Sequence, residues 1–484
     1  MHLIMAYIIL LIHMLDTSIV NVALLSMTTD LMREPLAGHW IISAFFVGLA
    51  SAMPFAQKMV ARLGEKPALT WALLLSVGAI GACGLSHTFL AVVASRFVQG
   101  LTSGVVALLL QKLILKYVGP DARAFGLSLW ASAVSLAPVL GPVLGAATIG
   151  VMNWHWIFLG QVPILVAAAW CIRDEFSLRI APAAGAPSFA GALLAFAGAT
   201  LCLELGLDSV MKVNREPAIV ALGWGAGAVV AAWLLRLQLA RGSAALFDWS
   251  LLRERTYRSY ACIGVTVGAV TVTTSVIYTI WLQVQLNLGL RDVANILAAG
   301  GLIAGGLTPL IGRIKNRRVL PLIVFAGLAC LATSFFLCSR LTDSAAPLDL
   351  VAPRILAGFG TALCSPCAFL AVSTLDGPRI LGANALSLFI RTVCGSVAIV
   401  LVSGLSERLQ LLLSEQALAA GFGSNAGYAV APGAVAHIED TLAALCAHEA
   451  MHLIFLAAAA ATCALAVLLA SVALPAVATR WRQA

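Results

Sequence analysis

Long apolar stretches separated by short polar breaks set the pattern of this chain. About fourteen of them reach the roughly 20 residues that a helix needs to cross a bilayer. The first six run at about 1–27, 37–57, 68–86, 89–111, 124–149 and 156–172. An Ala/Pro/Gly-rich linker, Ser177–Pro187, leads to a pair at about 188–207 and 218–237, and a polar segment, Gln238–Arg258, follows. Six more lie near 259–282, 293–312, 319–339, 350–374, 381–405 and 447–474. The pattern predicts an all-α membrane protein of two six-helix bundles plus a two-helix insert. The bundles are expected at 1–175 and 246–484, the linker and insert at 176–245, and a long loop outside the spans at 406–447.

Composition agrees. The 484 residues are 61% hydrophobic and only 10% charged, against roughly 25% charged in a soluble domain. A net charge of +8 raises nucleic acid as a partner until the basic residues are placed. With the first residue inside, Lys58, Arg62, Lys66, Lys112, Lys116, Arg123, Arg173, Arg253, Arg255, Arg258, Arg313, Lys315, Arg317 and Arg318 all fall in loops on one side. The other side holds only Arg33, Lys212, Arg215, Arg291, Arg340 and Arg408. This is the positive-inside bias of a membrane protein with both termini cytoplasmic, and it removes nucleic acid. The eleven cysteines are scattered in apolar runs, and Cys364-Ser365-Pro366-Cys367 sits inside a span, outside any thioredoxin-like context. The N-terminus has no basic n-region and no cleavage site, so it does not read as a secretory signal; its lack of a polar leader points to a start codon further upstream.

Within this apolar background a few polar residues carry the candidate chemistry. Asp16 is the only charged residue between Met1 and Thr29, with Asn21 one turn further on. A charged group at bilayer depth costs at least about 2.5–3.5 kcal/mol, so it faces water or a partner. Two readings stand: a protonatable group in a transport pathway, or a hydrogen-bonder between helices. Arg96, two turns inside span 4, lies at comparable depth and is a candidate partner. An opposite charge favours the carboxylate and burial disfavours it; the bland alternative is a static buried ion pair. Arg391, alone in span 13, suits an anion or backbone carbonyls equally. Gln283 closes span 9, and Glu204 closes span 7. Span 5 carries Gly141, Pro142 and Gly145, which suit a hinge or simply a tight helix seam. His448-Glu449-Ala450-Met451-His452 matches H-E-x-x-H, two histidines one turn apart, but a catalytic zinc needs a third protein ligand. A zinc protease is therefore the remote reading; no metal or cofactor and no enzyme activity is expected. Finally, Arg96–Gly100 and Arg354–Gly358 begin alike at equivalent places in the two halves, a trace of the internal repetition seen in transporters.

Taken together, the motifs resemble the major facilitator superfamily, in particular its fourteen-helix drug:proton antiporter family. Met14–Leu24 resembles the signature L-D-x-T-x-x-N-V-A-L-P, with Ser18 and Leu25 at the Thr and Pro places. Arg96, Gln99 and Gly100 match R-x-x-Q-G in span 4, and Gly141, Pro142 and Gly145 match the antiporter motif of span 5, with Ala137 and Ala146 replacing glycines. Asn153–Phe158 followed by Gln161-Val162-Pro163 is similar to W-x-W-I-F…N-x-P. Between spans 2 and 3 the chain keeps Arg62, Gly64 and Lys66 but has Ala61 where the family has an aspartate. In the family that aspartate helps latch the outward-open state, so the gating energetics here are expected to depart from the pattern. The resemblance implies the major facilitator fold in the inner membrane and export of amphipathic or cationic compounds in exchange for protons. Asp16 and Arg96 would couple the proton; Asn21, Glu204, Gln283 and Arg391 would line the substrate path. A periplasmic adaptor and an outer-membrane channel are the implied partners. The main alternative is a narrow carrier for a metabolite or anion on the same fold.

Overall fold

In the computed structural model, the described residues are 2–16, 18–32, 38–118, 123–175, 249–284, 286–311, 319–341, 347–364, 385–395 and 451–464, with single residues elsewhere. All the regular structure among them is helical. The first group of helices is α1 (His2–Leu15), α2 (Ile19–Asp30), α3 (His39–Leu63), α4 (Glu65–Gly84), α5 (Phe89–Val118), α6 (Arg123–Val151), α7 (His155–Leu159) and α8 (Gln161–Cys171). The second is α9 (Arg255–Val284), α10 (Leu290–Ile311), α11 (Leu320–Cys338), α12 (Pro347–Cys364), α13 (Ala385–Gly395) and α14 (Met451–Ala464). By length and composition, α4, α5, α10 and α11 each suffice to cross a membrane. The insert at 188–237, apart from a few residues, and the loop at 406–447 lie outside the described residues.

Three predicted features take a different form. Span 1 is not one helix: α1 and α2 form a pair bent by 44° between Leu15 and Ile19. The residue types explain the position, because Asp and Ser offer the backbone competing side-chain bonds. Ser18 Oγ donates to the Leu15 carbonyl at 3.2 Å and, across the seam, to the Ala137 carbonyl of α6 at 2.7 Å. Broken backbone is tolerated at membrane depth only where protein satisfies it. Span 5, by contrast, runs unbroken through Pro142 as the 29-residue α6. Thus the break sits not at the proline motif but in the helix packed on it. The polar loop between spans 2 and 3 reduces to one residue, Gly64, with α3 ending at Leu63 and α4 starting at Glu65. Gly64 has φ +88°, a conformation that glycine adopts without a steric cost. Arg62 lies in the last turn of α3.

Helix packing follows the small residues. A Cβ on Gly100 would run into the Phe45 carbonyl oxygen of α3, and one on Gly48 into the Phe97 carbonyl oxygen of α5. The second group repeats this: Gly358 of α12 abuts the Gly300 carbonyl of α10, and Gly300 abuts the Arg354 carbonyl. In lipid, where helices gain little from the hydrophobic effect, such backbone approach gives dispersion contact over a long seam. The sequence repeat therefore marks a repeated helix contact. The two groups meet along α6 and α10, where a Cβ on Gly305 would come within 2.6 Å of Leu136 Cδ1. Val22 and Ala146 join an apolar cluster with Ile263 and Val267 of α9. Residues of α9 and α13, among them Tyr257 and Leu386, join the core of the first group.

Candidate functional site

The break in span 1 places Asp16 where α1, α2, α5 and α8 converge, and its side chain is fully buried. Arg96 of α5 lies beside it, 1% exposed. Its guanidinium is held by three acceptors: Nη2 donates to the Asp16 backbone carbonyl at 2.9 Å, Nη1 to Gln99 Oε1 at 2.6 Å, and Nε to the Ile41 carbonyl at 3.4 Å. The Phe45 ring lies beneath it at 4.4 Å. The ionic contact with Asp16 Oδ1 is longer, 3.8 Å. The arginine therefore caps the broken backbone as much as it faces the carboxylate, a use that suits its rigid fork of donors. The direct hydrogen bond to the carboxylate comes from Gln161, whose Nε2 donates to Asp16 Oδ1 at 3.1 Å. Oδ2 of Asp16 is buried without a hydrogen-bond partner.

Each motif explains one side of this site. Gln99 receives Arg96 and donates to the Ala79 carbonyl of α4 at 3.1 Å, while the next residue, Gly100, meets α3 backbone. R-x-x-Q-G thus ties three helices to the break. In span 6, Trp154, Phe158 and Gln161 recur at helical spacing. Trp154 is buried and donates from Nε1 to Asp30 Oδ2 at 2.9 Å, Phe158 lies 5.9 Å from the Arg96 guanidinium, and Gln161 reaches Asp16. From span 5, Gly141 and Gly145 lie against the break itself. A Cβ on Gly141 would collide with Ser18 Oγ, and one on Gly145 would stand 3.1 Å from the Ile19 carbonyl oxygen. Pro142 is buried in the same turn.

Of the other candidates, Asn21 lies in the first turn of α2 with Oδ1 buried and without a hydrogen bond. Gln283 ends α9 with Nε2 likewise without one. Arg391 lies in α13, where its side chain crosses α9 at Gly268; a Cβ there would stand 2.7 Å from Arg391 Cδ. Glu204 lies outside the described residues, as does His448. His452 donates from Nε2 to the Leu341 carbonyl at 2.8 Å, Glu449 is exposed, and no cluster of metal ligands occurs among the described residues. The sequence reading did not single out His13, one turn before Asp16. It is fully buried, donates from Nδ1 to the Ile9 carbonyl at 2.8 Å, and pairs through Nε2 with Ser76 Oγ of α4 at 2.9 Å. Its signal was its position on the Asp16 face of an otherwise apolar helix. Gln161 was quoted only as a motif residue.

The family model described as Major Facilitator Superfamily matches residues 6–403. The chain belongs to that superfamily. Its curated relatives place it in the drug:proton antiporter family. It is 30% identical to the fatty acid resistance protein FarB of Neisseria gonorrhoeae over 82% of this chain and 79% of that one. It is 26% identical to the multidrug export protein EmrB of Escherichia coli K12, over 79% and 75%. A solved structure, the human organic anion transporter MFSD10 (TETRAN), superposes with a TM-score of 0.60 at 14% identity, covering 96% of this chain and 98% of that one. That likeness shows the major facilitator fold. This member of the superfamily is a multi-pass membrane transporter, and its membrane depth is what makes an acid at Asp16 notable.

At the end of the first group that holds the start of α1, outside the apolar spans, ion pairs knit the helices. Lys112 donates to Glu65 at 2.6 Å, Lys116 to Glu175 at 2.9 Å, and Lys66 to the Asp174 carbonyl at 2.6 Å. Burial pushes the Glu175 carboxyl upward, but hydrogen bonds from Lys116 and Tyr117 and the nearby lysine charges outweigh it and hold it below the ordinary carboxylate range.

Proposed function

We propose that this chain is a proton-coupled exporter of amphipathic compounds that works by alternating access, with Asp16 as the proton site. The observation that carries it is a fully buried carboxylate at a break in a membrane span, with one oxygen left without a partner. Such a group is costly to keep, and the cost is understandable if its protonation changes during the cycle. Arg96 fixes the break and sets the field at the carboxylate; Gly141, Pro142 and Gly145 form the smooth surface against which the broken helix moves. The names of the relatives, multidrug export and fatty acid resistance, support export as the direction. The basic loops support cytoplasmic termini, with bundles at 1–175 and 246–484 around the insert at 176–245. By resemblance, a periplasmic adaptor and an outer-membrane channel receive the substrate.

The test is substrate-evoked proton flux in proteoliposomes. Wild type is expected to show it, and Asp16→Asn to lose it while inserting normally. Full active export by the variant would overturn the assignment.

Arg391 favours a second reading within the first, that the compounds include amphipathic anions. Arg96 already gives three of its five N–H donors to protein acceptors, so fewer are left for a substrate. Arg391 makes no hydrogen bond or ion pair with the described residues, and it stands beside the seam between the halves. A membrane-depth guanidinium without a partner among the described residues suits a carboxylate.

A further inference from the structure

The contact between Asp16 and Gln161 is half of a familiar pairing. Gln161 Nε2 donates to Asp16 Oδ1 at 3.1 Å and to the Ile157 carbonyl at 3.0 Å. The remaining atom on each side, Asp16 Oδ2 and Gln161 Oε1, is a buried acceptor without a partner. Two acceptors on side chains already bonded to each other have no donor between them. One proton would supply it: a hydrogen on Oδ2 directed at Oε1 would let a carboxylic acid and a carboxamide close a two-bond ring.

We infer that Gln161 is a positioning residue that selects the protonated form of Asp16 through this ring and ties that form to the packing of span 6 on the broken span 1. Loss of the proton opens the second bond and leaves both acceptors buried and unpaired, a state disfavoured in a site of this depth. The consequence is mechanical as well as chemical. Gln161 follows Gly160 in the apolar helical segment His155–Cys171 of span 6. Opening the ring therefore loosens span 6 from the bend of span 1. The titratable groups facing Asp16 are Arg96 from α5, Cys83 from α4 and His13 from α1 itself. From α6 the neighbour is the Ala137 carbonyl, already bonded to Ser18. Arg96 and the Gln161 Nε2 donor at Oδ1 both favour the charged form, so Gln161 opposes it only through the second bond, in which Oε1 accepts from the acid.

The inference rests on Asp16 being the proton site, and the experiment separates the two. Infrared spectra of the purified full chain in lipid, recorded across pH, give the protonated Asp16 band as the wild-type signal absent from Asp16→Asn. No such titrating band would defeat the proton-site reading itself. With the band present, the inference expects the frequency of a doubly hydrogen-bonded carboxylic acid in wild type. In Gln161→Met, which keeps the stem and removes both polar atoms, the band should move toward the free-acid frequency. Its titration midpoint should fall by about one pH unit or more, about tenfold in proton affinity. A free-acid frequency in wild type, or an unmoved midpoint in folded Gln161→Met, would overturn the role of Gln161. Should that variant not fold, the wild-type frequency alone decides.

Discussion

Arg96 shows why single residues at this depth are not interchangeable. Its fork serves the Asp16 and Ile41 carbonyls and Gln99 at once. A lysine carries the same charge as a compact point on a flexible stem. Arg96→Lys is expected to leave at least one buried acceptor unsatisfied and to cost about 1–3 kcal/mol, measured as a lower melting temperature of the detergent-purified protein; unchanged melting would refute the capping role. At this scale the sequence was informative about identity and poor about partners. Asp16 and Arg96 stand out because charge is rare in an apolar run. Gln161 and His13 do not, since neutral polar residues are common near span ends and in helix seams. Only packing shows that their side chains are buried against the acid.

Among the described residues, elements were legible in place and order more than in shape. Apolar length locates spans, yet it does not register a bend, because residues on either side of Asp16–Ser18 are equally apolar. The bend depends on the α6 backbone accepting Ser18 and on the close approach that Gly141 permits. Gly141→Val places bulk where Ser18 Oγ now lies, and overpacking of this kind costs about 1–3 kcal/mol. Substrate-evoked flux is expected to fall more than protein yield, since the bend must shift to make room; wild-type flux would show that the contact is incidental.

The ion pairs at the α4–α5–α8 end behave differently. Because the Glu175 carboxyl is lower in the folded protein than in the unfolded chain, its contribution is present above the ordinary carboxylate range and is lost as pH falls through the lowered value. The pair with Lys116 is solvent-exposed on the lysine side, so screening keeps it small. Glu175→Gln should shift stability at neutral pH by no more than about 1 kcal/mol, with no difference from wild type at strongly acidic pH. A larger loss in thermal melting would mean that the network is more cooperative than its exposure suggests.

For the whole molecule, the two helix groups touch along α6 and α10 and through α9, beside which Arg391 stands. If this arginine reads the charge of amphipathic anions, Arg391→Gln should weaken a long-chain carboxylate as competitor or substrate by about tenfold or more, the scale of one charge-assisted hydrogen bond. A lipophilic cation should be unaffected. Equal loss for both, in transport competition on proteoliposomes, would make Arg391 structural.

The membrane class, the family and the repeat were determined by the sequence alone. They rest on apolar run length, on motif residues such as Asp16, Arg96 and Gly141, and on small residues recurring at Gly100 and Gly358. These are local or compositional properties, and bilayer thickness and backbone clearance translate them directly into structure. The tertiary structure alone decided that span 1 is broken and that Arg96 caps the break. It alone brought Gln161, from the sixth span, to Asp16 in the first. Those outcomes depend on which helix faces meet, and a contact across 145 residues has no local pattern to announce it.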